Sequence, residues 1–126
     1  MKISPFAHLL AIETIAQERG KSHVRVVVRE EHTNHFGFAH GGFIGGVADY
    51  ALELASNSYD DGTIAMALAT STQYHRPAPL GALLEAHAHE THVGKTTATY
   101  HIALSIDGKL VASFTGTVFR KPANPS

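Results

Sequence analysis

The segment GFIGGVADYALELASN, residues 42–57, constrains this chain more than any other. At helical spacing Phe43, Ile44, Val47, Ala48, Ala51, Leu52, Leu54 and Ala55 spread apolar side chains over most of the circumference. A surface helix keeps a broad polar face, whereas this one needs cover on nearly every side. The rest of the chain has to supply that cover, so the helix is predicted to be central and buried.

What surrounds it reads mostly as strands. Valines 24, 26 and 28 alternate with Arg25, Val27 and Arg29, the period of a half-buried strand over residues 22–31. Four further strand-like runs follow the helix, at 63–76, 83–91, 96–106 and 110–121. They are separated by Asp61-Gly62, by Pro77-Ala78-Pro79 with Gly81, by Val93-Gly94-Lys95 and by Asp107-Gly108, the last a strong two-residue hairpin signal. Ser4-Pro5 opens a helix and Gly20 closes one, which predicts a first helix over 4–19. Residues 122–126 have no apolar anchor and read as a loose tail. A chain of 126 residues holds one domain, residues 1–126. One buried helix and about five mainly antiparallel strands, with an extra N-terminal helix, give an α+β fold in which the sheet curls around the helix.

Composition narrows the function. The net charge is −1 and the basic residues are scattered, so the one-sided positive footprint of nucleic-acid binding is missing. There is no cysteine, which removes thiolate metal sites and a cysteine nucleophile. The apolar run FAHLLAI is too short to span a bilayer and has no signal-peptide pattern, so no membrane partner and a cytoplasmic location are expected. Hydrophobic residues reach 44% against 17% charged, which favours self-association.

Chemistry concentrates at the entry of the central helix. Helix N-termini carry unpaired N–H groups and partial positive charge, a ready place for a polarised carbonyl oxygen. Gly41 and Gly42 either admit a ligand to that backbone or only shape the helix entry. Asn34 and His40, polar residues of the preceding loop, can hold a water or a carbonyl oxygen. Asp49 lies seven residues after Gly42 on nearly the same helix face, and Glu53 extends the stripe. These acids read either as a solvated face or as a catalytic carboxylate. Seven residues of helix rise about 10 Å, too far for an N–H and a carboxylate of one chain to act on one carbonyl. Two chains related by a two-fold axis, each lending one group, remove the difficulty.

The pattern Asn34, Gly37, His40-Gly41-Gly42 and Asp49 resembles the signature of hotdog-fold acyl-CoA thioesterases of the phenylacetate-degradation (PaaI-like) type. NHFGFAHGG, six residues and then Asp49, the later RPAPLG, and the closing GKTTATYHIALSIDGKLVASFTGTVFRK extend the likeness over about residues 20–121. The resemblance implies the hotdog fold, a homodimer joined sheet edge to sheet edge and often paired again into a tetramer, and hydrolysis of acyl-CoA without a metal or cofactor. It assigns Asp49 as nucleophile or general base, the Gly42 or Gly41 N–H as the group that polarises the carbonyl, Asn34 as the holder of the water, and His40 as the residue that orients the thioester or supports the loop. Many members have Ser or Thr ten residues before the proline after the second strand; here that position is Ala67. Of the nearby hydroxyls, only Ser71 is expected on the strand face of Ala67. A non-catalytic acyl-CoA-binding domain is the competing function, and a hydratase lacks its D-x-N-P-x-H pattern.

Remaining features admit two readings each. Phe36, Phe38, Phe43 and Tyr50 either line an acyl pocket or fill the core. Arg76, Lys95, Arg120 and Lys121 are candidates for the phosphates of coenzyme A, with Gly41, Gly37, Phe43 and Arg76 placed at the substrate site. Glu85, His87, His89 and His92 have a spacing that suits a metal, but a strand-surface role is expected and no metal is assigned.

Overall fold

A computed structural model describes residues 4–123. Helix α1 spans Pro5–Leu10, strand β1 Glu13–Glu18, β2 Lys21–Val27, the central helix α2 Gly41–Ser56, β3 Thr63–Tyr74, β4 Leu83–Val93, β5 Thr97–Ile106 and β6 Lys109–Pro122. The strands form one antiparallel sheet in the order β1-β2-β4-β5-β6-β3. This is the hotdog arrangement, an α+β fold with the sheet wrapped about α2. Among the described residues no helix is long and apolar enough to cross a membrane.

The core forms where the apolar pattern placed it. Val47, Ala48, Ala51, Leu52 and Ala55 of α2 are essentially inaccessible, and they meet Val24 and Val26 of β2, Leu84 and Ala86 of β4, Tyr100, Ile102 and Leu104 of β5, and Phe114 and Val118 of β6. Gly116 of β6 is the point of closest approach, since a Cβ there would stand 2.6 Å from Leu52 Cδ2. Ser22 Oγ donates to the Ala51 carbonyl at 2.7 Å, which ties the sheet to the helix within the apolar layer. Asp107 and Gly108, with φ of 51° and 77°, make the two-residue turn between β5 and β6.

The N-terminal segment departs from expectation. Instead of one helix over 4–19 there is a six-residue helix and then an edge strand, so the sheet has six strands rather than about five. Ser4 does cap a helix, its Oγ accepting the Ala7 N–H at 3.1 Å. Ala11 then turns left-handed at φ 63°, its N–H bonds back to the last carbonyls, and the helix stops. Gly20, at φ 73°, belongs to the turn between β1 and β2 and caps nothing helical. At the other end β6 runs on to Pro122 and the Ala123 N–H donates to the Gly62 carbonyl at 2.8 Å, so the first two residues of the expected tail are tied down. Residues 124–126 of that tail lie outside the described residues.

β3 lies at the edge of the sheet and contains a bulge. Ala67 pairs with Val118 and Ala69 with Thr117, leaving Leu68 as an extra residue. Because side chains alternate, one extra residue exchanges the faces of everything beyond it. Ser71, opposite Thr115, is therefore on the outer face, contrary to expectation. Thr70, opposite Gly116, and Thr72, opposite buried Phe114, share the helix-facing side with Ala67.

Candidate active site

Asn34 closes a tight loop before the helix. Its Oδ1 accepts the N–H groups of Phe36 at 2.9 Å and Phe38 at 3.2 Å, while its backbone N–H donates to the Phe38 carbonyl at 2.7 Å. With Oδ1 taken by two donors, the NH2 end is left to donate outward. Gly37 holds φ 86° in this turn with open space around it, so its position serves the loop conformation. The loop reaches Gly41 through His40, whose N–H donates to the His32 carbonyl at 2.8 Å.

His40 is the N-cap of α2. Its Nδ1 accepts the Gly42 N–H at 2.9 Å, and its carbonyl accepts from Phe43 and Ile44, each at 3.0 Å. A ring that accepts at Nδ1 and is neutral carries its proton on Nε2, so His40 presents an Nε2–H donor. The same bond occupies the Gly42 N–H. Of the two glycine donors anticipated at the helix start, Gly41 N–H is the one with no partner among the described residues. The Tyr74 hydroxyl donates to the Gly41 carbonyl at 3.0 Å. Asn34, Phe38, Gly41, Ile44, Tyr74 and Arg76 line a cavity of about 400 Å³ at this helix end. Arg76, one of these lining residues, is exposed.

Asp49 lines a different cavity, about 430 Å³, with Leu52, Glu53, Ser56, Ala67 and Val118 among its walls. None of these residues lines the first cavity. Asp49 remains open to solvent, but the helix and strand beside it strip part of its hydration and push its carboxyl above the ordinary value. Burial also raises Glu53, and the charge on Asp49 adds to that shift. At Asp49 the cause is desolvation alone. Ala67 lines the same cavity as Asp49, so the side chain at that position brings no hydroxyl to the carboxylate.

Other expectations resolve plainly. Phe43 was expected against substrate but is 6% exposed and stacks on His32 with ring centroids 4.0 Å apart, because position 43 faces the core side of α2. Tyr50 is likewise core, its hydroxyl 3.2 Å from Thr14 Oγ1. Phe38 lines the Asn34 cavity and Phe36 stands out in solvent. Arg120 is committed to Asp61 at 3.0 Å and to the Gly94 carbonyl at 3.0 Å, which removes it as a free cation for coenzyme A. Glu85 accepts from His23 at 2.9 Å and His87 stacks on His23 at 4.0 Å; among the described residues no group of three or more His, Asp or Glu side chains has metal-holding geometry. These histidines border a larger cavity, about 540 Å³, on strands β1, β2 and β4, away from the Asn34 and Asp49 cavities. Tyr74 was missed by the sequence reading, since only the fold brings the end of β3 to the start of α2.

The chain is similar to known proteins in sequence and in fold. The family model described as Thioesterase superfamily matches residues 36–113. The acyl-coenzyme A thioesterase PaaI of Escherichia coli is 34% identical over 115 residues, covering 90% of this chain and 81% of that protein. A mutant of the phenylacetic acid degradation protein PaaI from Thermus thermophilus superposes with a TM-score of 0.87 at 41% identity, over 92% of this chain and 98% of the other. A Streptococcus mutans protein solved bound to acetyl CoA superposes at 0.84 with 29% identity, over 90% and 91% of the two chains.

Proposed function

The chain belongs to the thioesterase superfamily and is a thioester hydrolase, and from that premise we propose that it hydrolyses aryl- or medium-chain acyl-CoA to the free acid and CoA in a site shared by two subunits. The observation that carries this reading is the division of the polar groups. Donors gather at the start of α2, as Gly41 N–H, His40 Nε2–H and the Asn34 amide, while the carboxylate Asp49 opens into a separate cavity further along the same helix. Each set lacks what the other provides.

In this mechanism the thioester carbonyl lies at the helix start, where the Gly41 N–H and the positive end of the helix stabilise the oxyanion. His40 Nε2–H orients the thioester, and the Asn34 amide holds the attacking water. Asp49 of the second copy either takes that water's proton as the water oxygen bonds to the carbonyl carbon, or itself attacks the carbon to give a mixed anhydride that the water hydrolyses once CoA has left. The C–S bond then breaks and CoA leaves as the thiol after taking up a proton. Arg76, which lines that cavity, pairs with a phosphate of the nucleotide. Two copies meet through the free edge of β3, which presents Met66 and Leu68 at 59% and 61% exposure, the kind of unpaired apolar strand that a partner covers. Such dimers pair again into a tetramer, in the cytoplasm.

The test is release of free thiol from a panel of aryl, hydroxyaryl and aliphatic acyl-CoAs by the wild type and by Asp49→Ala. The expected result is hydrolysis by the wild type and loss of it in the variant, which still binds acyl-CoA. A variant rate within about tenfold of wild type would remove Asp49 from the mechanism. Binding without turnover by the wild type would make the chain an acyl-CoA-binding domain.

A further inference from the structure

We infer that Tyr74 is a positioning residue that acts on the site through His40. The Tyr74 hydroxyl donates to the Gly41 carbonyl at 3.0 Å, and the Gly42 N–H of that same peptide unit donates to His40 Nδ1 at 2.9 Å. One planar amide thus joins the phenol to the imidazole. Donation to a carbonyl polarises its amide, strengthens the N–H as a donor and reinforces the next bond in the chain. The far end of this relay is the His40 Nε2–H, which faces the thioester in the proposed mechanism. Tyr74 therefore keeps His40 in the Nε2–H form and holds its ring direction without touching the reacting atoms.

The surroundings fit this role. Tyr74 shares the helix-facing side of β3 with Thr70 and Thr72, on the far side of the Leu68 bulge. Without the extra residue its ring would point to the outer face and miss the helix. A Cβ at Gly41 would come within 3.2 Å of the hydroxyl and 3.3 Å of Cζ, so glycine lets the phenol sit directly against the backbone. The ring is 55% exposed, so it contributes little to the core and its hydroxyl has a specific use.

The inference rests on the proposed hydrolysis, and the test separates the two. Tyr74→Phe keeps the ring and removes the hydroxyl. Its kcat for the best acyl-CoA should fall about five- to tenfold with KM unchanged, the loss expected for one neutral hydrogen bond felt in the transition state. The 15N signals of the His40 ring should move from a fixed Nε2–H pattern toward the average of two exchanging tautomers, while the melting temperature stays close to wild type. A purely structural tyrosine would shift the melt and leave kcat and the ring nitrogens alone. Unchanged ring nitrogens overturn the inference whatever the rate does, and so does an unchanged kcat. Failure of the wild type to cleave any acyl-CoA in the panel overturns the hydrolysis instead, and the nitrogen signals then still decide whether Tyr74 governs His40.

Discussion

Replacing His40 in two ways separates its two jobs. The ring caps α2 through Nδ1 and leaves Nε2–H as a free donor, and alanine removes both. Loss of an N-cap costs about 1 kcal/mol, within a range of roughly 0.5–2. For a chain of this size that lowers the melting temperature by roughly 3–5 °C. Asparagine is among the best N-cap residues and its Oδ1 occupies the place of Nδ1, so His40→Asn should keep the Gly42 bond and melt within about 1 °C of wild type. It carries nothing at the position of Nε2, and loss of the donor that orients the thioester costs roughly a hundredfold in kcat, the effect of misplacing a reacting group by about 1 Å. The assay is a thermal melt beside thiol release for both variants. An asparagine variant that keeps more than a tenth of wild-type kcat would refute the donor role, and one that melts like the alanine variant would refute the cap.

Asp49→Asn should abolish turnover and at the same time raise the melting temperature at neutral pH. Burial lifts the folded carboxyl above its unfolded value, so the ionised form is what folding disfavours; the wild type loses stability as pH rises through the folded pKa. The gap between variant and wild type should close as pH falls toward about 4, the unfolded value, and paired melts across that range check the sign. For the same reason the acid limb of the wild-type kcat profile should lie above the ordinary carboxylate range. Arg76→Ala should raise KM several-fold for full acyl-CoA at unchanged kcat. It should have no effect on the matching acyl-pantetheine, which lacks the nucleotide phosphates; comparison of the two substrates checks that assignment.

The central helix was legible because its apolar residues follow the helical period over sixteen positions, and the alternating valines of β2 were legible for the same reason at period two. The first helix was misjudged because Ser4-Pro5 and Gly20 are both genuine signals that belong to different elements. Nothing local between them announces Ala11 in a left-handed conformation, which the docking of Ile12 into the core stabilises. Asn34, His40, Gly41 and Asp49 stood out as polar or glycine residues beside an apolar run. What they do with their hydrogen bonds did not, because it depends on loop closure: Asn34 spends its oxygen on the loop, and His40 spends Nδ1 on Gly42. The face assignment of Ser71 failed on a single bulged residue, and Tyr74 was invisible because it lies 33 residues from Gly41 along the chain.

The shared site is the claim on which the mechanism turns, and mixed dimers test it most directly. Asn34→Ala and Asp49→Ala should each be inactive alone, one lacking the group that holds water and the other the carboxylate. If Asn34 of one copy works with Asp49 of the other, a heterodimer of the two variants has one site with both defects and one with neither. After the mixture is unfolded and refolded, about half of the dimers are mixed, and activity should return to roughly one quarter of wild type. The same treatment of each variant alone sets the baseline. A mixture that stays as inactive as its parents, while native mass spectrometry shows heterodimers present, would contradict the account.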